Sequence, residues 1–173
     1  MHQSSHFILE GSQSSPSEEL AIDDPGRRRL PPLLRKAWLR LNAVFLGRIT
    51  DLGMTPDQYV VLRWVVEKGS PGLTQRELSD HMASDPNTIA SLLRRMEKAK
   101  WIKRRRRKQD RRAKEVTHTQ EGLEMFKKAR GRALDLEKAV LQSLSSEERD
   151  VFLDSLEKVA GRCLKSSSCK DLD

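Results

Sequence analysis

The chain has 173 residues, 33 lysines and arginines against 25 acids, and a net charge of +8, with a pI near 9.8. That length suggests one domain with elaborations; no apolar run reaches the roughly 18–20 residues that a membrane helix needs, and no basic-then-apolar stretch opens the chain, so a cytoplasmic protein is expected. The two cysteines, Cys163 and Cys169, fall late and form no C-x-x-C pair, which argues against a disulfide framework and a zinc finger.

Residues 1–29 are rich in Ser, Glu, Asp and Pro, without periodicity, and read as a mobile tail. Arg27, Arg28 and Arg29 close it, as a solvated linker or as an arm against DNA. Pro31 and Pro32 start a first helix. Leu34, Trp38, Leu41 and Phe45 form one stripe on it, and Leu39, Ala43 and Leu46 a second. A helix apolar on two faces needs two partners: its own core, and a second subunit or a ligand cavity.

Capping signals mark the helices that follow. Thr55-Pro56-Asp57-Gln58 predicts a capping box with proline at the first helical position, opening a helix with Val60, Val61, Trp64 and Val65. Ser70-Pro71-Gly72 breaks the chain. Thr74 and Glu77 predict a second box and a short helix through Met82. Asp85-Pro86 caps a helix running to about Lys98. Thr119 caps a long helix with Leu123, Phe126, Ala133, Val140 and Leu144. Ser145 and Glu148 predict a third box, opening a last helix with Phe152, Leu156, Val159 and Cys163. The short helix, the turn at Ala83-Ser84-Asp85 and the next helix make a helix-turn-helix. A hairpin directly after it is a wing, with Ile102 and Val116 expected as the apolar pair across its stem.

The charge is concentrated in that wing. Nine of the twelve residues 103–114 are basic and Asp110 is the only acid, so this segment carries +8 and the remainder sums to zero. Such crowding costs self-repulsion that a polyanion relieves, and the duplex phosphate backbone is the commonest candidate. In the preceding helix Ile89, Leu92, Leu93 and Met96 recur at core spacing. Asn87, Ser91, Arg94 and Lys98 then face outward, with Thr88 and Arg95 on the flanks. Arginine grips guanine bidentately and asparagine grips adenine, each pair worth about 1–3 kcal/mol of discrimination. In the wing Arg106, Arg107, Lys108, Arg111 and Arg112 are the expected DNA contacts. Asp110 either orients Arg112 for the minor groove or makes a local turn bond.

The stretch from Leu73 to Gly122 resembles MarR-type winged-helix regulators. The resemblance rests on LTQREL at 73–78, DPNTIASLLRRME at 85–97 and DRRAKEVTHTQEG at 110–122, where Asp110, Arg111 and Arg112 lead to the capping Thr119. With the order of the flanking helices it covers about residues 31–165. The chain departs from the pattern at Lys100, where a helix-ending glycine is usual, and at Glu115 and His118, where apolar wing residues are usual. Residues 104–108 are also more basic than is typical.

The resemblance implies a mainly α (α+β) fold: a winged helix-turn-helix DNA-binding lobe (55–118) and a helical dimerisation lobe built from the N- and C-terminal helices (31–54 and 119–165). A disordered tail (1–30) and a polar tail (166–173) flank this domain. It further implies a homodimer that binds double-stranded DNA at a near-palindrome, most often as a repressor, and that many members leave DNA when a small aromatic anion occupies a cleft. Trp38, Phe45, Tyr59 and Trp64 are the aromatic candidates for such a cleft, or they are core. Cys163 reads as packing. No cofactor is expected, and His2, His6, His81 and His118 are too scattered for a metal site. No nucleophile–base pairing or phosphate loop suggests an enzyme. The alternative is a non-sensing winged-helix or architectural DNA-binding protein with weak sequence preference.

Overall fold

The computed structural model describes residues 29–106 and 114–165. They form α1 (Leu30–Ile49), a 3-10 turn (Thr50–Leu52), α2 (Pro56–Lys68), β1 (Leu73–Thr74), α3 (Gln75–His81), α4 (Pro86–Lys98), β2 (Ile102–Arg106), β3 (Lys114–His118), α5 (Gln120–Leu141) and α6 (Ser146–Lys165). The result is a mainly helical fold with one three-stranded antiparallel sheet in the order β1-β3-β2. Residues 1–28 and 166–173, read as tails, lie outside the described residues.

The chain divides into two compact units, Met1–Leu39 and Arg40–Asp173. In the first unit Leu30, Leu33, Leu34, Trp38 and Leu39 of α1 are exposed. In the second unit α1 gives only Phe45 and Ile49 to the core, while Leu41, Val44 and Leu46 stay exposed. The expected stripe Leu34-Trp38-Leu41-Phe45 is therefore buried only at its last member. Helical spacing showed that α1 has apolar faces; it did not show which turns of the helix have a neighbour.

In the second unit the caps set the helix boundaries. Thr55 and Gln58 exchange the two bonds of a capping box, at 3.3 Å and 2.8 Å. Thr74 and Glu77 do the same, at 3.2 Å and 2.6 Å, as do Ser145 and Glu148, at 3.3 Å and 2.8 Å. Each satisfies two backbone donors that a helix start would otherwise leave open. In α2 the buried residues are Gln58, Tyr59, Val61, Leu62 and Val65, so Val60 and Trp64, expected in the apolar set, are only half-buried.

Both helices of the helix-turn-helix end in the same way. Ala83 has φ +45° and Lys100 φ +61°. After α3 the Ser84 N–H donates to the Ser79 carbonyl at 3.0 Å and Ala83 to Asp80 at 3.2 Å; after α4 Trp101 donates to Met96 and Lys100 to Glu97, both at 3.0 Å. These are Schellman closures, which place one residue in the left-handed region and usually use glycine there. Lys100 therefore ends α4 where a glycine would end it, despite its side chain.

The sheet corrects the expected wing pairing. Ile102 stands opposite His118, and Val116 is flanked by Leu73 of β1 and Arg104 of β2. Ile102 and Val116 are both buried on one face but are diagonal rather than facing. Strand β1, only two residues long, has no signal of its own beyond the break at Gly72. There φ is +103° and a Cβ would lie 2.6 Å from the Val116 carbonyl oxygen, so the chain reaches β3 only with glycine.

Phe126, Ala129 and Leu136 of α5 join the core, whereas Val140 is exposed. On α6 Val151, Phe152, Leu153 and Leu156 are exposed, Val159 is half-buried, and Cys163, expected to pack, is exposed. An amphipathic helix shows its apolar face in sequence, but not whether a neighbour within the same chain covers it.

A left-handed non-glycine residue costs roughly 1–2 kcal/mol, which glycine avoids at some entropic cost of its own. Lys100→Gly is expected to raise stability by about 1 kcal/mol, seen as a higher urea midpoint at unchanged slope. An equal or lower midpoint would show that the Lys100 side chain makes a compensating contact.

Candidate nucleic-acid interface

Ile89, Leu92, Leu93 and Met96 are all buried, which fixes the rotation of α4 about its axis. Asn87, Thr88, Ser91, Arg94, Arg95 and Lys98 are all exposed. At the start of the helix Asp85 Oδ1 accepts the backbone N–H groups of Asn87 and Thr88, each at 2.9 Å. The Thr88 hydroxyl donates to the other Asp85 oxygen, so it is already engaged within the cap. Gln75 Nε2 donates to the Pro86 carbonyl at 2.9 Å, tying the first turn of α3 to the first turn of α4. The helix-turn-helix is thus fastened at its crossing as well as by its core.

Strands β2 and β3 carry the wing out from the end of α4. Alternation places Ile102, Arg104 and Arg106 on one face of β2 and Lys103 and Arg105 on the other. Arg104 Nε donates to Glu97 Oε2 at 2.9 Å, and a terminal guanidinium nitrogen reaches the same oxygen. Arg105 stands across from Glu115. Arg106 and its cross-strand partner Lys114 are both exposed. Two of the basic residues in the stem therefore face acids that are distant in sequence or on the other strand. Arg107, Lys108, Asp110, Arg111 and Arg112, including the expected Asp110–Arg112 pairing, lie outside the described residues.

Sequence reading missed Glu97. Its signal was slight: an acid in the last turn of α4, seven residues before a strand arginine. The Arg104 hydrogen bond holds its carboxyl below the usual range, with the positive charge of Lys114 acting in the same direction. The Thr88 side chain, then its backbone, does the same for Asp85.

The aromatic candidates of the second unit do not form one cluster. Phe45 meets Tyr59 edge-on at 5.0 Å, and Tyr59 stacks with Phe126 at 5.8 Å. Both Phe45 and Tyr59 are core residues, and burial pushes the Tyr59 hydroxyl up. Trp64 instead stacks on His81 of α3 at 4.2 Å. Trp38 belongs to the other unit and is 55% exposed. Arg63 is paired with Glu67 at 2.8 Å along α2. Among the described residues no group of His, Cys, Asp and Glu could hold a metal ion, and no helix is long and apolar enough to cross a membrane.

The helix-turn-helix, β1 and β2 fall within a match to the MarR family model over residues 54–114, which ends at the first residue of β3. The HTH-type transcriptional regulator BilQ of Clostridium symbiosum is 30% identical over 99 residues, covering 57% of this chain and 68% of BilQ. The chain belongs to the MarR family. Two solved structures are similar to it. PcaV, a transcriptional regulator from Streptomyces coelicolor solved with its natural ligand, is 27% identical with a TM-score of 0.67; the match covers 76% of this chain and 92% of PcaV. The Staphylococcus aureus MepR–DNA complex supports the fold alone: TM-score 0.73 at 22% identity, covering 79% of this chain and 99% of MepR. This MarR-family chain is thus a transcriptional regulator with a winged-helix DNA-binding fold.

The depressed carboxylates set a pH dependence. Asp85 binds its proton less readily when folded than when unfolded. Its stabilisation is therefore present above the unfolded carboxylate pKa near 4 and is lost as pH falls through the lower folded value. Asp85→Asn keeps a good capping side chain but removes the charge. The variant is expected to be less stable than the parent at pH 7, and the gap is expected to narrow steadily as pH falls below the unfolded carboxylate pKa, in urea midpoints taken across that range. A gap that persists at low pH would show that the charge is not the cause.

Proposed function

We propose that this regulator is a homodimeric repressor that binds a near-palindromic operator and is released by a small molecule. The observation that carries the proposal is α4: a helix rotated by its buried stripe, with Asn87, Ser91, Arg94 and Lys98 outward and a basic wing rooted at its end. In this reading α4 enters the major groove. Thr88, Arg95 and Arg106 flank the contact, and Arg107, Lys108, Asp110, Arg111 and Arg112 extend it along the backbone or minor groove.

Dimerisation is supported by apolar side chains left exposed in the second unit. Leu134 and Val140 on α5 and Val151, Phe152, Leu153 and Leu156 on α6 exceed the scattered singles normal for a surface. Residues 31–54 and 119–165 are proposed to form this dimer lobe and 55–118 the DNA-binding lobe, working in the cytoplasm. Two such lobes reach half-sites about one helical turn, roughly 34–36 Å, apart. The ligand-bound state of PcaV supports an effector. With Tyr59 closed against both Phe45 and Phe126, an aromatic ligand would engage Trp64 and its His81 partner, or the exposed Trp38.

Selection of random duplexes by the purified full chain at physiological salt is expected to enrich a palindrome with half-sites one turn apart. Tight binding without enrichment would instead support a non-sensing architectural protein. On the selected site Arg94→Ala is expected to cost about 1–3 kcal/mol and to relax preference at one position of each half-site. Equal losses on selected and random duplexes would remove Arg94 as a base reader.

A further inference from the structure

Glu97 occupies an electrostatically poor position. It lies in the last turn of α4, where a carboxylate meets the negative end of the helix dipole. Arg104 compensates, through two guanidinium nitrogens on one carboxylate oxygen. Arg104 is on the face of β2 that carries the buried Ile102 and stands directly across from the buried Val116. Its side chain is 24% exposed, against 38% for Glu97. The pair spans the reversal at Lys100, so a backbone closure and a side-chain bridge cross the same junction between α4 and the wing.

A half-buried ion pair open to solvent on one side adds only modest stability, so its consequence is sought in charge and geometry. An unpaired arginine on the wing would take a phosphate oxygen on any duplex, whatever its sequence. Each added phosphate contact steepens the dependence of log affinity on log salt by about 0.9. Where it forms without α4 seated in the groove, it strengthens non-specific binding, which is essentially all electrostatic, relative to specific binding. Arg104 held by Glu97 makes no such contact, and the wing is kept at one angle to α4.

We propose that Glu97 is a positioning residue for DNA recognition, one that holds Arg104 off the phosphates and sets the wing against α4 so that wing contacts form only where α4 also seats in the groove. This rests on the DNA-binding reading above. It assigns Glu97, which touches no DNA itself, a role in specificity.

The test measures affinity of the full chain for its selected duplex and for a random duplex of equal length, across 50–200 mM salt. In Glu97→Gln, Arg104 is released: random-duplex affinity is expected to rise about tenfold, with a salt slope steeper by about 0.9 per subunit. The selected-to-random ratio is expected to fall by a similar factor. The double variant E97Q/R104Q removes the bridge without adding a net charge. Its salt slope is expected to return to that of the parent while the ratio stays low, because the wing is no longer set. A loss of stability alone would move neither slope. An unchanged ratio in Glu97→Gln would overturn the proposal, as would a slope in E97Q/R104Q shallower than the parent's, which would make Arg104 a phosphate contact in the parent. A parent that binds neither duplex would overturn the DNA-binding reading itself, and this proposal with it.

Discussion

The burial of Ile89, Leu92, Leu93 and Met96 is the constraint on which the interface depends. Four apolar side chains at successive helical contacts leave α4 one rotation, and burying each is worth roughly 1.5–3 kcal/mol. Turning the helix by a single residue would expose part of that stripe and bury charged groups, Arg94 and Glu97 in one direction or Arg95 in the other. The outward face is thus fixed by the inward one. The caps then fix where the helix starts and stops along its axis: Asp85 at one end and the closure at Lys100 at the other. Rotation and translation together determine where each outward side chain stands before any DNA is present, which lowers the ordering cost of binding.

The wing shows how a charge run changes meaning once folded. Along the sequence residues 103–114 contain one acid. In the structure Arg104 meets Glu97 from the end of α4, and Arg105 stands opposite Glu115. The root of the wing is therefore less positive than its composition suggests: Arg104 and Arg105 are each set against an acid, while Lys103, Arg106 and Lys114 are exposed. Repulsion among the arginines is relieved near the core, where the dielectric is lower and like charges interact most strongly.

Much of this was legible in the sequence because its signals were local. Capping boxes need four consecutive residues, and all three expected ones exist. The α4 stripe needs one helix and is buried as its spacing predicts. The illegible features were those requiring a partner from elsewhere. Val116 looked like the partner of Ile102, but β1, too short to announce itself, takes one side of it and Arg104 the other. Glu97 drew no expectation, because the arginine it meets lies on the next strand. Leu34, Trp38, Phe152 and Leu156 had apolar spacing, and Cys163 was expected to pack, yet all five are exposed. Lys100 stood where a helix-ending glycine is usual, but backbone hydrogen bonding imposed the left-handed turn regardless of the side chain.

The junction between Trp101 and α5 has a mechanical consequence. The Thr119 hydroxyl donates to the Lys100 carbonyl at 2.6 Å and its N–H to the Trp101 carbonyl at 3.0 Å. At Gly122 the helix backbone lies so close to Trp101 that a Cβ would overlap its carbonyl. The first turn of α5 is in effect riveted to the chain leaving α4, with no side chain between them to act as a cushion. A long helix anchored at one end is a lever: a tilt of a few degrees at the far end of its 22 residues turns this anchored end as well. The fulcrum sits at the root of the wing, so small displacements among the helices that carry the exposed apolar faces have a rigid route to the end of α4.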